Sequence, residues 1–418
     1  MEGALKGALL FAQSGGPTAV INASAAGVFT EALNTDCITA VYGSHYGVKG
    51  ILDEEIYDIS KESPETIEQL KYTPSSALGS VRYKLGNPEE DPREFEKILS
   101  VFRRLEVRYF IYNGGNDSMD TCDKISRYFE KSGYECRIMG VPKTIDNDLA
   151  GTDHCPGYGS AAKYIATTIT ELALDSKVYD TGSVLICEAM GRNAGWLTAA
   201  SALAGLCGEG PDLIYLPEIS FSFDRFLSDV SKVCEKKNNK CVVVVSEGIR
   251  FADGRYVGEF GIEETDRFGH AQMGGVCNIL KRLVKEKLGV KVRAIEFSLM
   301  QRCAAHLASG TDIEEAFGAG AAAVRYAAGG ETGKMVTLER VSDEAYRVAY
   351  GVTPLSMAAN HEKTVPISWI NAEGNGLTEE FIAYALPLIQ GETGLKKANG
   401  LPAFVSLKKE KAALWTSA

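Results

Sequence analysis

The sequence lacks the patterns that mark several common kinds of site. Its ten cysteines include no C-x-x-C pair, and its five histidines include no H-E-x-x-H motif or other paired spacing. Neither a zinc site nor a disulfide framework is indicated, and we expect buried, reduced thiols in a cytoplasmic protein. No apolar run approaches the length of a membrane span, and the run at residues 8–12 is too short for a signal peptide.

An excess of positive charge is also absent, since the formal net charge is −11 at pH 7. A nucleic-acid partner would need a basic face, so we expect none. An anionic small molecule is compatible with this composition because a local cluster of arginines can outweigh a diffuse negative field. The length of 418 residues is too great for one ordinary core and predicts two domains.

Short apolar runs alternate with helical patterns over most of the chain. We predict strands at residues 8–12, 37–41, 107–112, 138–141, 183–187, 213–216, 241–245 and 292–297. We predict helices at residues 19–33, 93–105, 120–131, 157–175, 193–206, 277–287 and 313–328. The alternation predicts an α/β fold of two Rossmann-like domains with mainly parallel sheets and a site in the cleft between them. Residues 250–275 are rich in glycine and charge and are predicted to form a long loop.

A glycine-rich loop at residues 13–18 joins the first predicted strand to a helix. The backbone N–H groups of Gly15 and Gly16 and the dipole of that helix would then face an anion. A plain tight turn is the alternative, and the loop taken alone does not decide between the two.

Two polar blocks follow neighbouring apolar runs. G-G-N-D-S (residues 114–118) comes after residues 109–112, and P-K-T-I-D-N-D (residues 142–148) comes after residues 137–141. Ligands of open α/β sheets bind where the parallel strands end. We predict that the first block holds a phosphoryl donor and that the second supplies the base that activates the acceptor.

Asp146 and Asp148 lie two residues apart, so on an extended segment both side chains point to one side. Two adjacent carboxylates are unfavourable unless a cation or a proton transfer requires them. One can then act as general base towards a hydroxyl while the other binds Mg²⁺. The alternative is a polar turn whose Asp and Asn side chains bond to the local backbone, and the block alone supports both interpretations equally.

Five arginines favour the catalytic interpretation. Each follows an apolar run or a glycine, at the expected end of a strand: Arg82, Arg192, Arg250, Arg293 and Arg302. A guanidinium fork matches a phosphate ester better than a lysine does. Several such arginines together indicate a phosphate-bearing ligand.

Together these motifs resemble the 6-phosphofructokinase family, and within it the pyrophosphate-dependent branch. The resemblance runs in family order over residues 8–302 and is carried by S-G-G (14–16) with Asn22-Ala23, L-G-S-V-R (78–82), the two polar blocks, M-G-R (190–192), Ser246-Glu247, and V-R-A (292–294) through Gln301-Arg302. Residues 303–418 add much less to it.

The resemblance implies a reversible, Mg²⁺-dependent transfer of a phosphoryl group from pyrophosphate to the 1-hydroxyl of fructose 6-phosphate, in a cytoplasmic homo-oligomer (a dimer or tetramer). The products would be fructose 1,6-bisphosphate and phosphate, in glycolysis or gluconeogenesis. Residues 1–155 with about 303–355 would form the donor-binding domain. Residues 156–302 with about 356–418 would form the domain that binds the sugar phosphate.

A role for each matching residue is implied as well. Asp146 would take the proton of the 1-hydroxyl, with Thr144, Asp148 and Arg192 at the reaction centre. The sugar phosphate would contact Thr144, Asp146, Met190, Gly191, Arg192, Glu247, Arg302 and, from a neighbouring subunit, Arg293. The donor would contact Gly15, Gly16, Arg82, Gly115, Asn116, Asp117, Ser118 and Lys143. Asp117 and Asp148 would bind the metal, and Asn116 stands where many relatives have a magnesium-binding aspartate.

Asp117 and Lys143 stand where ATP-dependent relatives typically (Asp117) or often (Lys143) have glycine. A carboxylate about 4 Å from a phosphate charge costs about 4 kcal/mol at an effective dielectric constant near 20, or roughly a thousandfold in binding. Asp117 therefore indicates pyrophosphate as the donor. Lys143 is less informative, because related ATP-using enzymes also carry a lysine there.

Two further departures from the family pattern concern the 6-phosphate. Ser183 and Leu299 stand where bacterial ATP-dependent enzymes have an intersubunit arginine and a histidine. The alternatives are an ATP-dependent 6-phosphofructokinase, a kinase of NAD or lipid, and a non-catalytic regulatory subunit that binds a sugar phosphate. Kinases of NAD or lipid lack the combination of T-I-D-N-D with M-G-R, and a regulatory subunit would have lost the base that Asp146 supplies.

Overall fold

The computed structural model describes residues 5–260, 275–342, 345–359 and 361–412. The strands are β1 (Gly7–Gln13), β2 (Ile38–Ser44), β3 (Ile56–Asp58), β4 (Val107–Gly114), β5 (Arg137–Pro142), β6 (Val184–Ala189), β7 (Leu213–Tyr215), β8 (Cys241–Ser246), β9 (Val292–Glu296), β10 (Lys334–Ser342), β11 (Arg347–Pro354), β12 (Lys397–Ala398) and β13 (Leu401–Pro402).

The helices are α1 (Ile21–Leu33), α2 (Gly47–Leu52), α3 (Pro64–Leu70), α4 (Arg93–Arg104), α5 (Asn116–Lys131), α6 (Tyr158–Lys177), α7 (Trp196–Ala200), α8 (Phe223–Lys236), α9 (Val276–Leu288), α10 (Met300–Cys303), α11 (Gly310–Ala328), α12 (Leu355–Ala359) and α13 (Glu379–Ala385). Short 3-10 helices connect several of these elements.

Two main sheets organise the described part of the chain. The larger has seven strands in the order β11-β10-β5-β4-β1-β2-β3, and the smaller has four in the order β7-β8-β6-β9. The smaller sheet is parallel throughout. The larger is parallel from β10 to β2, with β11 and β3 antiparallel at its edges. The predicted α/β fold with mainly parallel sheets is therefore confirmed.

Each main sheet is buried on both faces, which explains why its central strands are apolar runs without polar alternation. In β1 the side chains of Ala8, Leu10 and Ala12 enter one core while those of Leu9 and Phe11 enter another. In β8, likewise, Val242 and Val244 pack on one face and Cys241, Val243 and Val245 on the other.

Helices α1 and α11 cross at close range beside the larger sheet. A β-carbon at Gly27 would lie 2.0 Å from the carbonyl oxygen of Phe317, and one at Gly320 would lie 2.1 Å from that of Ser24. Glycine is needed at both positions because any side chain would push the two helices apart. This contact fixes α1, and with it the end of the glycine-rich loop.

Every predicted strand overlaps an observed one, but some elements differ from the predictions. Helix α5 begins at Asn116, four positions before the predicted start at residue 120. The predicted helix at 193–206 is divided into α7 and a 3-10 helix at Ser201–Cys207. The sequence did not predict the antiparallel pair of β10 and β11, which extends the larger sheet beyond β5.

The predicted domain boundaries stay a prediction. Residues 261–274 of the predicted loop at 250–275 lie outside the described residues. Among the described helices, none has both the length and the apolar character that crossing a membrane requires.

Candidate active site

Polar loops converge at one edge of the larger sheet. Strands β1, β4 and β5 are parallel neighbours, and their last residues are in register: Gln13 with Asn113, and Gly114 with Pro142. The loops that follow these strands therefore meet. Together with residues 81–84 they line a cavity of about 380 Å³.

This cavity brings together all eight predicted donor-binding residues and three of the four predicted catalytic residues. They are Gly15, Gly16, Arg82, Gly115, Asn116, Asp117, Ser118, Lys143, Thr144, Asp146 and Asp148. Ser14, Val81, Tyr83 and Lys84 also line the cavity and were missed. Lys84 could have been predicted from its spacing to Arg82, because residues two apart lie on the same side of an extended segment.

The glycine-rich loop is held open by bonds to its carbonyl groups. Gly15 has a φ of +78°, a conformation that glycine adopts at no steric cost. Ser80 Oγ donates to Gly15 O at 2.5 Å, and Lys143 Nζ donates to Gly16 O at 2.6 Å. A β-carbon at Gly15 would lie only 3.1 Å from Lys143 Nζ, so the absence of a side chain leaves the lysine in contact with the cavity.

The N-terminus of α5 forms a second wall of the cavity. Gly115 is the N-cap and provides no side-chain cap, while Asn116, Asp117 and Ser118 make the first turn. An uncapped helix start presents N–H groups and the positive end of the dipole. This wall can therefore bind an anion such as a phosphate.

The loop at residues 143–148 turns sharply at Asn147, which is fully buried and has a φ of +54°. Its side chain holds this conformation: Nδ2 donates to the Tyr384 hydroxyl at 2.8 Å, and Oδ1 accepts from the Cys155 N–H at 2.9 Å. Both Asp146 and Asp148 line the cavity. Asn147 thus makes the bonds expected of a polar turn, and the turn delivers the two carboxylates to the cavity.

Burial shifts the pKa of Asp146 and of Lys143, which both line the cavity. It raises the pKa of Asp146 to about 7, and the negative charges of Asp148, Glu247 and Glu362 add to the rise while Lys143 opposes it. Burial also lowers the pKa of Lys143 to about 8, with the two aspartates opposing and Arg302 and Arg82 reinforcing the shift. An acid and a lysine that both titrate near neutral pH are typical of a catalytic site.

Asn116 and Asp148 provide oxygen atoms suited to a metal. Asn116 Nδ2 donates to Asp148 Oδ2 at 3.4 Å, and burial raises the pKa of Asp148. No group among the described residues bonds to Asn116 Oδ1, although this atom is buried. In the same part of the chain, no cluster of three His, Cys, Asp or Glu side chains could hold an ion. A magnesium ion would therefore need phosphate or water oxygens as further ligands.

Asp117 lies at the mouth of the cavity. Its side chain is 87% exposed and lies 3.8 Å from Lys84 Nζ. Solvent screens an exposed charge, so its repulsion of a nucleotide phosphate is weaker here than the sequence alone suggested.

The loop after β6 lies at the facing edge of the smaller sheet. Ala189 at the end of β6 is in register with Ser246 at the end of β8, which brings Met190, Gly191 and Arg192 beside Glu247. The Gly191 N–H donates to Glu247 Oε1 at 3.1 Å, and burial raises the pKa of Glu247. The negative charge of Glu247 also contributes to the raised pKa of Asp146.

Four of the five arginines named from the sequence lie outside the lining of the cavity. Arg302 is the nearest to it, since its Nη1 would be 3.3 Å from a β-carbon at Gly16. The guanidinium groups of Arg192 and Arg250 lie over the ring of Tyr256, at 5.2 and 4.4 Å from its centroid.

Arg293 is not brought to the cavity within one chain. It is in register with Leu185, near the amino end of β6, whereas Met190 follows the carboxyl end of that strand. Its guanidinium lies 3.8 Å from the Asp175 carboxylate. Together with Ser183 it lines a separate small pocket, and Leu299 is 54% exposed.

Comparison with known proteins gives a consistent result. A family model described as Phosphofructokinase matches residues 8–325. A pyrophosphate–fructose 6-phosphate 1-phosphotransferase of Xanthomonas campestris pv. campestris is 50% identical over 409 residues, which cover 96% of each chain. One of Halomonas elongata is 46% identical over 406 residues, again 96% of each chain. The crystal structure of the pyrophosphate-dependent phosphofructokinase from Marinobacter aquaeolei is 42% identical, with a TM-score of 0.87 over 98% of this chain and 97% of that one.

Proposed function

The chain belongs to the phosphofructokinase family, and from that premise we propose that it transfers a phosphoryl group reversibly from pyrophosphate to the 1-hydroxyl of fructose 6-phosphate. The products are fructose 1,6-bisphosphate and phosphate. Relatives named for this reaction are 50% and 46% identical over nearly the whole chain. The observation that carries the proposal is a single cavity in which a half-buried acid, Asp146, and a buried lysine, Lys143, lie beside a glycine-rich loop and a helix N-terminus.

Asp146 is the proposed base. Its carboxylate takes the proton of the 1-hydroxyl as the hydroxyl oxygen attacks phosphorus. The new O–P bond forms while the bridging P–O bond of pyrophosphate breaks, and the departing phosphate keeps the electron pair of that bond. General base catalysis of this kind contributes about 10²–10⁴ in rate. Thr144, whose Oγ1 accepts from the Asp146 N–H at 3.0 Å, helps to orient the base.

The donor is proposed to lie between the glycine-rich loop and the start of α5, in contact with Gly15, Gly16 and Gly115 and with residues 116–118. Lys143 and Arg82, which both line the cavity, then neutralise its negative charge. Phosphoryl transfer depends mainly on positioning and charge neutralisation, which these groups supply without forming a covalent intermediate.

The oxygen atoms near Asn116 fit a magnesium ion. Asp148 and Asp117 would hold it, and the unpartnered Asn116 Oδ1 is a further candidate ligand. Mg²⁺ is typically bound by one or two carboxylates together with phosphate oxygens and water, which agrees with the small number of acids here. When bound, it would offset the negative charge of the phosphates.

The sugar is proposed to contact Thr144, Asp146, Met190, Gly191, Arg192 and Glu247, with Arg302 on the 6-phosphate. Arg293 would reach this phosphate from a neighbouring subunit, which supports a homo-oligomer (a dimer or tetramer). In each chain Arg293 lies away from its own cavity, as this arrangement requires.

We also propose a cytoplasmic location and a role in glycolysis or gluconeogenesis. All ten cysteines are free, which suits a reducing compartment. The two domains keep the boundaries proposed from the sequence, with the donor on the larger sheet and the sugar phosphate on the smaller.

A donor assay tests this proposal directly. Turnover of fructose 6-phosphate is measured in the presence of Mg²⁺ with either pyrophosphate or ATP as the donor, at equal concentrations. Pyrophosphate is expected to be the efficient donor. Efficient turnover with ATP and none with pyrophosphate would contradict the proposal.

The role of the base is tested by Asp146→Asn, which should lower kcat about 10²–10⁴-fold. The matched control is Asp120→Asn, which removes an acid of α5 that does not line the cavity and pairs with Lys124 at 2.8 Å. We expect the control to stay within twofold of the unaltered protein. If the kcat of the Asp146→Asn protein remained within tenfold of that of the unaltered protein, the base would be another residue.

A further inference from the structure

A segment far along the chain passes between the two loops of the proposed site. It consists of residues 362–365, here called the strap, and it lies beyond residue 325, where the match to the family model ends. The strap therefore lies outside the stretch that the family model matches.

On one side the strap is bonded to the segment that follows Asp146. The Lys363 N–H donates to Asp148 O at 2.7 Å, and Glu362 pairs antiparallel with Leu149. The Lys363 ammonium is buried and donates to Asp153 O at 2.5 Å. The strap thus holds the chain directly after the two carboxylates.

On the other side the strap is bonded to the continuation of the loop that carries Arg192. Asn193 Nδ2 donates to Glu362 Oε1 at 2.8 Å. Three residues later, Trp196 Nε1 donates to Lys363 O at 2.8 Å. The Lys363 ammonium lies 5.2 Å from the centroid of the Trp196 ring. One short segment therefore contacts both loops.

A buried carboxylate completes this second attachment. Glu218 Oε1 accepts from the Val365 N–H at 3.0 Å and from the Gly195 N–H at 2.9 Å. Val365 is 1% exposed and packs in the same core as Trp196. The end of the strap is thus fixed to the start of α7.

We propose that the strap sets the separation of the loop at 143–148 from the loop at 190–196, and that Glu362 is a positioning residue for phosphoryl transfer through its bond to Asn193. This inference rests on the proposed function. The Glu362 main chain pairs with Leu149, directly after the first loop, while its side chain bonds to Asn193 in the second. A displacement of about 1 Å between a base and the bound substrate can cost up to about a hundredfold in rate.

The test compares Glu362→Ala, which removes the bond to Asn193, with Glu362→Gln, whose Oε1 can still accept it. Since other bonds of the strap remain, we expect Glu362→Ala to lower kcat about three- to tenfold and to leave both KM values within twofold. Glu362→Gln should restore kcat to within twofold of the unaltered protein. Glu392→Ala is the matched control, because it removes an acid of the same C-terminal region that pairs with Lys163 away from the cavity.

A second measurement uses Asn193→Ala alone and combined with Glu362→Ala. Two residues that act through one bond are non-additive, so the double variant should fall no further than the lower single variant. Additive losses would overturn the proposal, as would a Glu362→Ala protein with less than a threefold fall in kcat.

Three further outcomes would also overturn it: a raised KM for fructose 6-phosphate with kcat unchanged, an equal fall of kcat in Glu362→Gln, and a fall in kcat matched by an equal loss of folded protein. Failure of the proposed function is distinguishable, because the unaltered protein would then show no turnover with pyrophosphate.

Discussion

Asp146 and Lys143 share one cavity, and burial acts on them in opposite directions. A carboxylate loses favourable hydration when it is buried, so its pKa rises, and an ammonium loses hydration likewise, so its pKa falls. The two pKa values thereby approach each other, at about 7 for Asp146 and about 8 for Lys143. The proposed mechanism needs Asp146 as a carboxylate and Lys143 as an ammonium, so the rate depends on pH through both groups.

We expect kcat/KM to have a bell-shaped dependence on pH. The carboxylate form of Asp146 is lost as the pH falls through about 7, and the ammonium form of Lys143 is lost as the pH rises through about 8. Activity should therefore decline on both sides, by about tenfold per pH unit well below the lower value. Rates measured with pyrophosphate at low substrate report this profile. Asp120→Asn should not move either limb, and a profile that stays flat as the pH falls through 7 would contradict the assignment.

Asp117 provides a second prediction at the scale of a single residue. Because its side chain is 87% exposed, the repulsion that it exerts on a phosphate about 4 Å away lies between about 1 kcal/mol in bulk water and about 4 kcal/mol at an effective dielectric constant near 20. Asp117→Gly is therefore expected to raise kcat/KM with ATP at least about fivefold, more so alongside Lys143→Gly. The measurement is ATP-dependent turnover, with Asp120→Gly in the same helix as control. No ATP activity in either Asp117 variant would show that the donor is selected elsewhere.

Single residues were predictable from the sequence where a local pattern marked them. Gly15, Gly16, Gly115 and the acids of T-I-D-N-D follow predicted strands, Arg82 follows an apolar residue, and all of them line the cavity. Glu362 and Glu218 have no such pattern, because their partners lie 169 and 147 residues away. Bonds between distant segments leave no periodic signal in the sequence.

The loop at 143–148 depends on an element-scale feature, the left-handed turn at Asn147. Asn147→Ala would leave the buried Cys155 N–H without its acceptor and would place alanine at a φ of +54°. Each buried unsatisfied group costs about 1–3 kcal/mol, and the left-handed conformation adds about 1–2 kcal/mol. We expect the free energy of unfolding to fall by about 2–5 kcal/mol, measured by denaturant unfolding.

Asn147→Gly is the comparison for this prediction. It loses the same two side-chain bonds, but glycine adopts the left-handed conformation freely, so it should be about 1 kcal/mol less destabilising than alanine. Equal losses in the two variants would mean that the backbone conformation contributes nothing.

Elements were predictable where both faces of a strand or one face of a helix are buried. The runs at 109–112 and 241–245 are continuously apolar because both sides of each strand pack in a core. The start of helix α5 was predicted too late because its first turn, which lines the cavity, is made of polar residues typical of a loop. Strand β11 was missed because it is an edge strand whose residues are mostly only half buried.

At the scale of the whole molecule, the position of Arg293 predicts that complete sites need two chains. Arg293→Ala and Asp146→Asn homo-oligomers should each be nearly inactive. In a hybrid dimer one site would combine the intact Asp146 of the first variant with the intact Arg293 of the second. Dissociating and reassociating an equal mixture should therefore restore about a quarter of full activity, because about half the dimers are hybrids with one intact site.

The control for this experiment is a mixture of Asp146→Asn with Asp148→Asn. Both acids line the cavity of their own chain, so no hybrid site would be complete. Recovery in this control, or no recovery in the first mixture, would contradict the assignment of Arg293 to the neighbouring subunit.

The position of β10 beside β5 has a consequence for how the protein is made. The Ile138 N–H donates to Thr332 Oγ1 across 194 residues, and β10 continues the sheet from there. While the ribosome is still synthesising the middle of the chain, β5 has an unpaired edge next to the loop that carries Asp146 and Asp148. Such an edge can pair with another nascent chain, so translation that stops before residue 334 is expected to yield aggregating fragments instead of a smaller enzyme.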